Sequence, residues 1–254
     1  MNGNNQQSPS EHARLPFPPQ AGLPELLELA EAKYRTRFET IGIGGLEVDV
    51  LQLADLEEHI DRLAETAGEG GLELPFWAKI WPTSILLSYF ILKLPTALNG
   101  TALEIGSGVG LCGLIAAKHG FPVLISDNHP DALLFARINI LRNGLQERAD
   151  VARIDFTQDV LDTRYPLILG SEVVYREGDV QPLIQFLEQH LDTTPSSQAL
   201  LARSYKRQAD TFYRQAEKRF SIQEKTLGYK ESTASDVASE RHLCIISKLT
   251  RRPA

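Results

Sequence analysis

One short segment restricts the fold of this chain more than any other. Leu103-Glu-Ile-Gly-Ser-Gly-Val-Gly110 follows the apolar run Thr101–Ile105 and opens the helical period Leu111–His119. Glycines at 106, 108 and 110 let a backbone turn sharply and approach a ligand without side-chain collision. The helix start beyond them offers unpaired N–H groups to a carboxylate or phosphate. Such a turn also serves purely structural ends in many α/β proteins, so its surroundings decide its meaning.

Those surroundings repeat the same rhythm. After Thr101–Ile105 and Leu111–His119 come a strand ending in Val-Leu-Ile-Ser-Asp127 and a helix over Asp131–Arg142. Further strands are expected at Ala149–Asp155 (edge-type), Tyr165–Leu169, Gln198–Ala202, Phe220–Thr226 and His242–Leu249, with helices at Val180–Leu191 and Gln208–Arg219. Strands alternating with helices predict right-handed crossovers and a mostly parallel sheet covered on both faces. The last two strands lack a helix between them. The polar loop Gly228–Arg241 predicts a terminal hairpin, with one antiparallel strand at the sheet edge. The fold class is thus α/β, a Rossmann-like seven-stranded sheet with an antiparallel terminal hairpin.

Carboxylates stand in or at the ends of three of these strands. Glu104 stands two residues before the first glycine, Asp127 ends the second strand, and Asp155, followed by Phe156, ends the third. Open α/β sheets bind ligands beyond the carboxyl ends of their strands, and an acid about 20 residues after the glycine turn meets ribose hydroxyls there. Asp155 offers an acceptor to an adenine amino group and Phe156 a packing surface for the base. Taken singly, each acid also reads as a helix cap or loop residue.

The pattern selects among nucleosides. A dinucleotide fingerprint wants glycine at position 111, where this chain has Leu111. A carboxylate at Glu104 suits a cation such as the ammonium of S-adenosylmethionine (SAM). About 140 residues follow the turn, little room for the separate substrate domain of a dehydrogenase. SAM is the cofactor this reading selects, with an NAD-binding oxidoreductase ranked behind it.

Two more segments carry a resemblance. Pro75-Phe-Trp77-Ala-Lys-Ile-Trp81-Pro-Thr-Ser84 precedes the glycine turn, and Ser171-Glu-Val-Val-Tyr175 leaves the fourth strand. With Leu-Glu-Ile-Gly-Ser-Gly-Val-Gly-Leu-Cys-Gly113 they make the chain, over about residues 72–250, resemble the seven-stranded protein lysine methyltransferases of methyltransferase family 16. The resemblance implies methyl transfer from SAM to a protein lysine. It places Trp81 against SAM, Glu104, Gly106, Ser107, Gly108 and Gly110 at the methionine end, Asp127 and Asn128 at the ribose, Asp155 and Phe156 at the adenine, and Ser171 in the same set. The family's marker after the fourth strand is Asp-x-x-Tyr, and here Glu172 replaces the acid. Glu172 is expected to orient the amine and relay its proton, with Tyr175 supplying a hydroxyl or an aromatic wall. Apart from the resemblance, Glu172 reads as a capping carboxylate and Tyr175 as a core aromatic. Trp77 is read as packing, and Tyr205 as lining the acceptor channel. A small-molecule N- or O-methyltransferase and a non-catalytic nucleoside-binding module remain as alternatives.

Three stretches follow: a disordered tail at 1–22, a helix and β-hairpin extension at 23–71, and the methyltransferase domain at 72–254. Asn, Gln, Ser and Pro dominate the tail, leaving it too little apolar surface to order itself. Leu23–Arg35 reads as an amphipathic helix, Phe38–Leu53 as a hairpin turning at Gly44-Gly45, Asp55–Glu65 as a helix, and Ala67–Gly71 as a flexible joint.

Composition narrows the partners. A net charge of −7 disfavours nucleic acid, and the basic cluster Arg203-Ser-Tyr-Lys206-Arg207 reads as a solvated helix start. Cys112 and Cys244 sit in apolar runs with no zinc spacing, so no metal is expected and free thiols in a reducing compartment are. The N-terminus has no apolar signal core, and Ile85–Leu94, the longest apolar stretch, is too short to span a bilayer. The expectation is a cytoplasmic monomer acting on protein, away from membranes.

Overall fold

A computed structural model describes residues 15–66, 74–96, 100–230 and 241–252. The glycine-turn strand β3 (Ala102–Ile105) lies third from one edge of a seven-stranded sheet with β4 (Val123–Asp127), β5 (Ala149–Arg153), β6 (Leu167–Ser171), β7 (Gln198–Ser204), β8 (Phe220–Lys230) and β9 (Arg241–Arg251). The order is β5-β4-β3-β6-β7-β9-β8. β3 pairs in parallel with both β4 and β6, while β9 runs antiparallel to both β7 and β8.

The terminal hairpin forms, but its antiparallel strand is not at the edge. β9 inserts one place inward, and β8 is outermost. The reason is burial. β9 sends Cys244 and Ile246 into one hydrophobic cluster and Leu249 into the other, so both its faces must be covered. β8 carries Gln223, Glu224, Lys225 and Thr226 at its centre, a polar run suited to an unpaired edge.

Alternation along the strands divides the core in two. Leu167 and Leu169 of β6 join the cluster beneath α3 (Pro82–Ile91), α4 (Leu111–His119) and α5 (Pro130–Arg142). Ile168 between them joins the cluster beneath α6 (Val180–His190) and α7 (Asp210–Ala216). Helices thus cover both faces, as the sequence rhythm predicts. Strand β6 starts at Leu167 rather than Tyr165, because Pro166 has no N–H to give the ladder and Tyr165 bridges instead to Leu191. Helix α3 is absent from the helices expected above; Pro82 occupies its first turn, where a missing N–H costs nothing.

Upstream, α1 (Leu23–Glu31), β1 (Thr36–Ile43), β2 (Leu46–Leu53) and α2 (Leu56–Thr66) form in the expected order. β1 and β2 pair from Thr36↔Leu53 to Ile43↔Leu46, around Gly44 and Gly45 at positive φ. α1 is tied to α5 through Asp131, which accepts from Lys33 Nζ at 2.6 Å and Tyr34 Oη at 2.7 Å. Residues 1–14 of the expected tail and the joint Ala67–Gly71 lie outside the described residues. From Leu15 the chain is packed, with Phe17 and Ala21 buried in the core. The expected loop Gly228–Arg241 is strand at both ends, and residues 231–240 lie outside the described residues. No helix among the described residues is long and apolar enough to cross a membrane.

Candidate functional site

The carboxyl ends of β3, β4, β5 and β6 open into one cavity of about 710 Å³, within the roughly 300–1,000 Å³ of small-molecule sites. The segment Leu74–Ser84, which runs into the first turn of α3, forms its opposite wall. A shallower depression lies at the other end of the strands, around Pro122, Arg148 and Tyr165. Open α/β sheets do not place their ligands at that end.

The glycine turn is shaped by what lies against it. Gly108 has φ +54, and a Cβ there would stand 2.5 Å from the Trp77 carbonyl oxygen. The aromatic segment therefore presses backbone to backbone on the turn, and only glycine permits that approach. Gly113, inside α4, is demanded by the site itself, because its missing Cβ would lie 2.6 Å from Glu104 Oε2 and 2.5 Å from Ile125.

Glu104 is 2% exposed. Its Oε2 accepts the Gly113 N–H at 2.8 Å. Burial pushes its carboxyl up to about 8, only partly offset by the Gly113 amide, and no cation among the groups that shift it balances its charge. A buried acid of this kind is suited to a cationic ligand.

Asp127, at the end of β4, is also buried. Oδ2 accepts from the Gly108 N–H at 2.8 Å and Oδ1 from the His129 N–H at 2.9 Å. Burial raises its carboxyl despite these amides. Each oxygen keeps a lone pair for a further donor. Asp155 lies past β5. Oδ1 accepts from the Thr157 N–H and hydroxyl at 2.9 and 2.6 Å, and Oδ2 from Gln158 Nε2 at 3.0 Å. Burial alone would raise it, but these bonds and Asn128 hold its carboxyl below the usual range. Asp155 thus stays ionised while stiffening the loop that carries Phe156.

On the opposite wall, Trp81 Nε1 donates to the Phe76 carbonyl at 3.2 Å, and Lys79 Nζ lies 4.8 Å from the Trp81 ring centroid. Trp77, read as packing, also lines the cavity and stacks on His129 at 5.1 Å between centroids. Ser171 donates to Thr83 Oγ1 at 3.0 Å and so joins β6 to α3.

Glu172 has φ +57, the one positive value among the described non-glycine residues. Such a backbone is uncommon for a long side chain and clusters at functional sites. Its side chain caps no helix. Oε1 accepts the Ser204 N–H at 2.7 Å, at the end of β7, and Oε2 accepts Arg207 Nε at 2.9 Å. Tyr175 is no core aromatic: it is 48% exposed at the cavity mouth, with Arg176 over its ring.

The structure brings Trp81, Glu104, Gly106, Ser107, Gly108, Asp127, Asn128, Asp155, Phe156, Ser171, Glu172 and Tyr175 together around this cavity. Gly110 lies outside the lining. It is the left-handed cap of α4, and a Cβ there would press on Ala136 and Ile125 at 3.3 Å, so it faces α5 and β4 instead. Tyr205 is likewise outside the lining and 55% exposed, while Arg207 two residues on is within it. The basic cluster around them is not a solvated helix start: Arg203 bonds the Arg207 carbonyl and Glu224, and Arg207 pairs with Glu172. His129 and Arg207 were missed by the sequence reading. His129 was signalled only by standing two residues past Asp127, and Arg207 only by its place after the fifth strand.

Comparison with known proteins shows the family and the fold. A family model described as lysine methyltransferase matches residues 69–226. Protein N-lysine methyltransferase METTL21A of Danio rerio is 33% identical over 155 residues, covering 58% of this chain and 70% of that protein. Histone-arginine methyltransferase METTL23 of Mus musculus is 29% identical over 120 residues, covering 44% of this chain and 47% of that protein. Among solved structures, the precorrin 8w decarboxylase from Methanobacterium thermoautotrophicum superposes with a TM-score of 0.52 at 16% identity, over 67% of this chain and 92% of that one, which speaks to fold alone.

Proposed function

The chain belongs to the SAM-dependent lysine methyltransferase family 16, and from that premise we propose that it methylates the ε-amine of a lysine in a protein. The observation that carries the lysine reading is Glu172. Its left-handed backbone and two anchoring bonds hold a carboxylate at the end of β6, next to the β3 end where Glu104 stands.

The sheet order supports a matching layout for the cofactor. Running from β5 through β4 to β3, Asp155 and Phe156 would take the adenine, Asp127 with Asn128 the ribose hydroxyls, and Glu104 the ammonium. A buried acid whose carboxyl is raised by burial and only partly offset by a backbone amide is the fit one expects for that ammonium. Ser107 and the glycine turn would border the methionine portion, with Trp81 and Ser171 closing the wall. Bound SAM supplies an electrophilic methyl group on a positively charged sulfur.

The chain's task is then to present a neutral, aligned amine. A lysine entering past Tyr175 leaves water, and desolvation lowers its pKa. Each Glu172 oxygen retains a lone pair to hold the amine, and the shed proton leaves to solvent through the mouth that Tyr175 borders. Held by Glu172, the freed nitrogen pair would face the methyl carbon of a bound SAM, where N–C bond formation would be matched by S–C cleavage to a thioether. Arg207 keeps Glu172 from turning away.

The test is to incubate the purified protein with methyl-labelled SAM and a cell lysate, then hydrolyse the labelled protein to amino acids. Label in methyllysine, lost in Glu172→Gln, is expected. Label in methylarginine, or in small molecules alone, overturns the lysine assignment and leaves the methyltransferase family standing.

A further inference from the structure

We propose that Asn139, on α5 and behind the cavity wall, is a positioning residue for the cofactor turn, and that through it the N-terminal hairpin forms part of the SAM-binding machinery. This rests on the reading of the cavity as the SAM site. Asn139 is fully buried. Its Oδ1 accepts the Leu51 N–H of β2 at 2.7 Å, and its Nδ2 donates to the Val109 carbonyl at 2.9 Å. The partners fix the amide's orientation, because one is a donor and the other an acceptor.

Val109 lies between Gly108 and Gly110, both at positive φ. The N–H of the same peptide, on Gly110, donates to the Ser107 carbonyl at 2.9 Å, and Asn139 holds the other end of this peptide between two conformationally free glycines. The turn N–H groups flanking it do specific work: the Gly108 amide holds Asp127, and α4 then presents Gly113 to Glu104. A rotation of the Val109 peptide would disturb both acids. α5 touches the turn a second time, where Ala136 fills the space beside Gly110. Strand β2 thus braces the turn from outside the sheet, with Asn139 as the link.

A neighbouring residue gives the control. Asn143, which caps the end of α5, grips the same hairpin, accepting from the Asp49 N–H at 2.9 Å and donating to the Asp49 carbonyl at 2.7 Å and to the Asn139 backbone carbonyl at 2.8 Å, a group the Asn139 variants keep. It makes no bond to the glycine turn. Both asparagines hold the extension, but only Asn139 also holds the site.

The experiment compares Asn139→Asp, Asn139→Ala and Asn143→Ala in the full chain, measuring SAM affinity by calorimetry and thermal unfolding in parallel. Ionised aspartate keeps the acceptor for Leu51 but sets a second oxygen, with no proton to donate, against the Val109 carbonyl. Losing one buried hydrogen bond that orders a binding loop is expected to weaken SAM about tenfold in Asn139→Asp. Asn143→Ala is expected to unfold at a lower temperature with SAM affinity unchanged. Equal SAM affinity in wild type and Asn139→Asp overturns the proposal, as does an equal loss of affinity in Asn143→Ala. If an Asn139 variant fails to fold, hydrogen exchange at residues 106–113 in Asn143→Ala decides: unchanged protection there supports the proposal, and loss of protection overturns it. Absence of SAM binding by the folded wild type sinks the reading of the cavity instead, a result distinct from either.

Discussion

The Glu172 carboxylate and the Arg207 guanidinium meet at 2.9 Å across the ends of β6 and β7. The glutamate side chain is 10% exposed and the arginine 36%. Breaking such a pair leaves a nearly buried carboxylate with one backbone donor. Arg207→Met is expected to lower kcat about tenfold or more, with SAM affinity changed less than twofold, because the pair holds the carboxylate proposed for the acceptor amine and not one of the acids proposed for the cofactor. Arg207→Lys should recover part of the loss. A steady-state kcat and SAM titration checks it, and an equal fall in SAM affinity would refute the assignment to the acceptor side.

Asp127 holds two backbone amides and is the acceptor proposed for ribose. Asp127→Ala orphans the Gly108 and His129 amides as well as removing that proposed acceptor. Hydrogen bonds to charged groups contribute roughly 1.5–3 kcal/mol, so SAM affinity is expected to fall between about tenfold and a hundredfold. Calorimetry reads this directly, and undiminished binding would remove Asp127 from the site.

Glu104 predicts a pH dependence of binding. Its carboxyl rises from 4.5 to about 8 on folding, chiefly through burial. The sign follows: a raised carboxyl binds a proton more tightly in the folded state, so this group's contribution to stability is greatest below pH 4.5. It is lost progressively as pH rises from 4.5 to about 8 and is level above that. An ammonium beside Glu104 favours the ionised form. SAM should therefore bind more tightly as pH rises towards 8, releasing a proton below that pH. Calorimetry at pH 6.5 in two buffers of different ionisation heat measures the release. Glu104→Gln should abolish it, and proton release unchanged in that variant would contradict the assignment.

Gly108 and Gly144 separate two costs of positive φ. Gly144 has φ +65 with nothing within 4 Å of a Cβ, so Gly144→Ala should cost about 1 kcal/mol of stability and leave SAM affinity alone. Gly108→Ala adds a collision with the Trp77 carbonyl at 2.5 Å. It should cost several-fold more stability and abolish measurable SAM binding. Denaturant unfolding and calorimetry on the two variants test the contrast, and similar losses in both would mean the Trp77 backbone yields easily.

Much of the architecture was legible because it is local. The glycines of 103–110, the strand–helix periods and the hairpin at Gly44-Gly45 each express a backbone preference over a few residues, and they form where expected. The acids at the strand ends were legible for the same reason, since position after a strand fixes the side of the sheet. Helix α3 was hidden by its prolines, and the place of β9 by the fact that two adjacent antiparallel strands read alike in either order.

What the sequence alone determined is the sheet, its nucleoside-binding end and the set of acids lined along it, all consequences of chain-local periodicity. Tertiary structure alone decided which partners those groups meet: that Glu172 pairs with Arg207, that Gly110 faces α5 rather than the cavity, and that Asn139 joins β2 to the glycine turn. These contacts link residues far apart along the chain, 30 positions for Asn139 and Val109 and 88 for Asn139 and Leu51. No local pattern encodes them, because a buried hydrogen bond is selected by the packing of whole elements and not by the residues beside it.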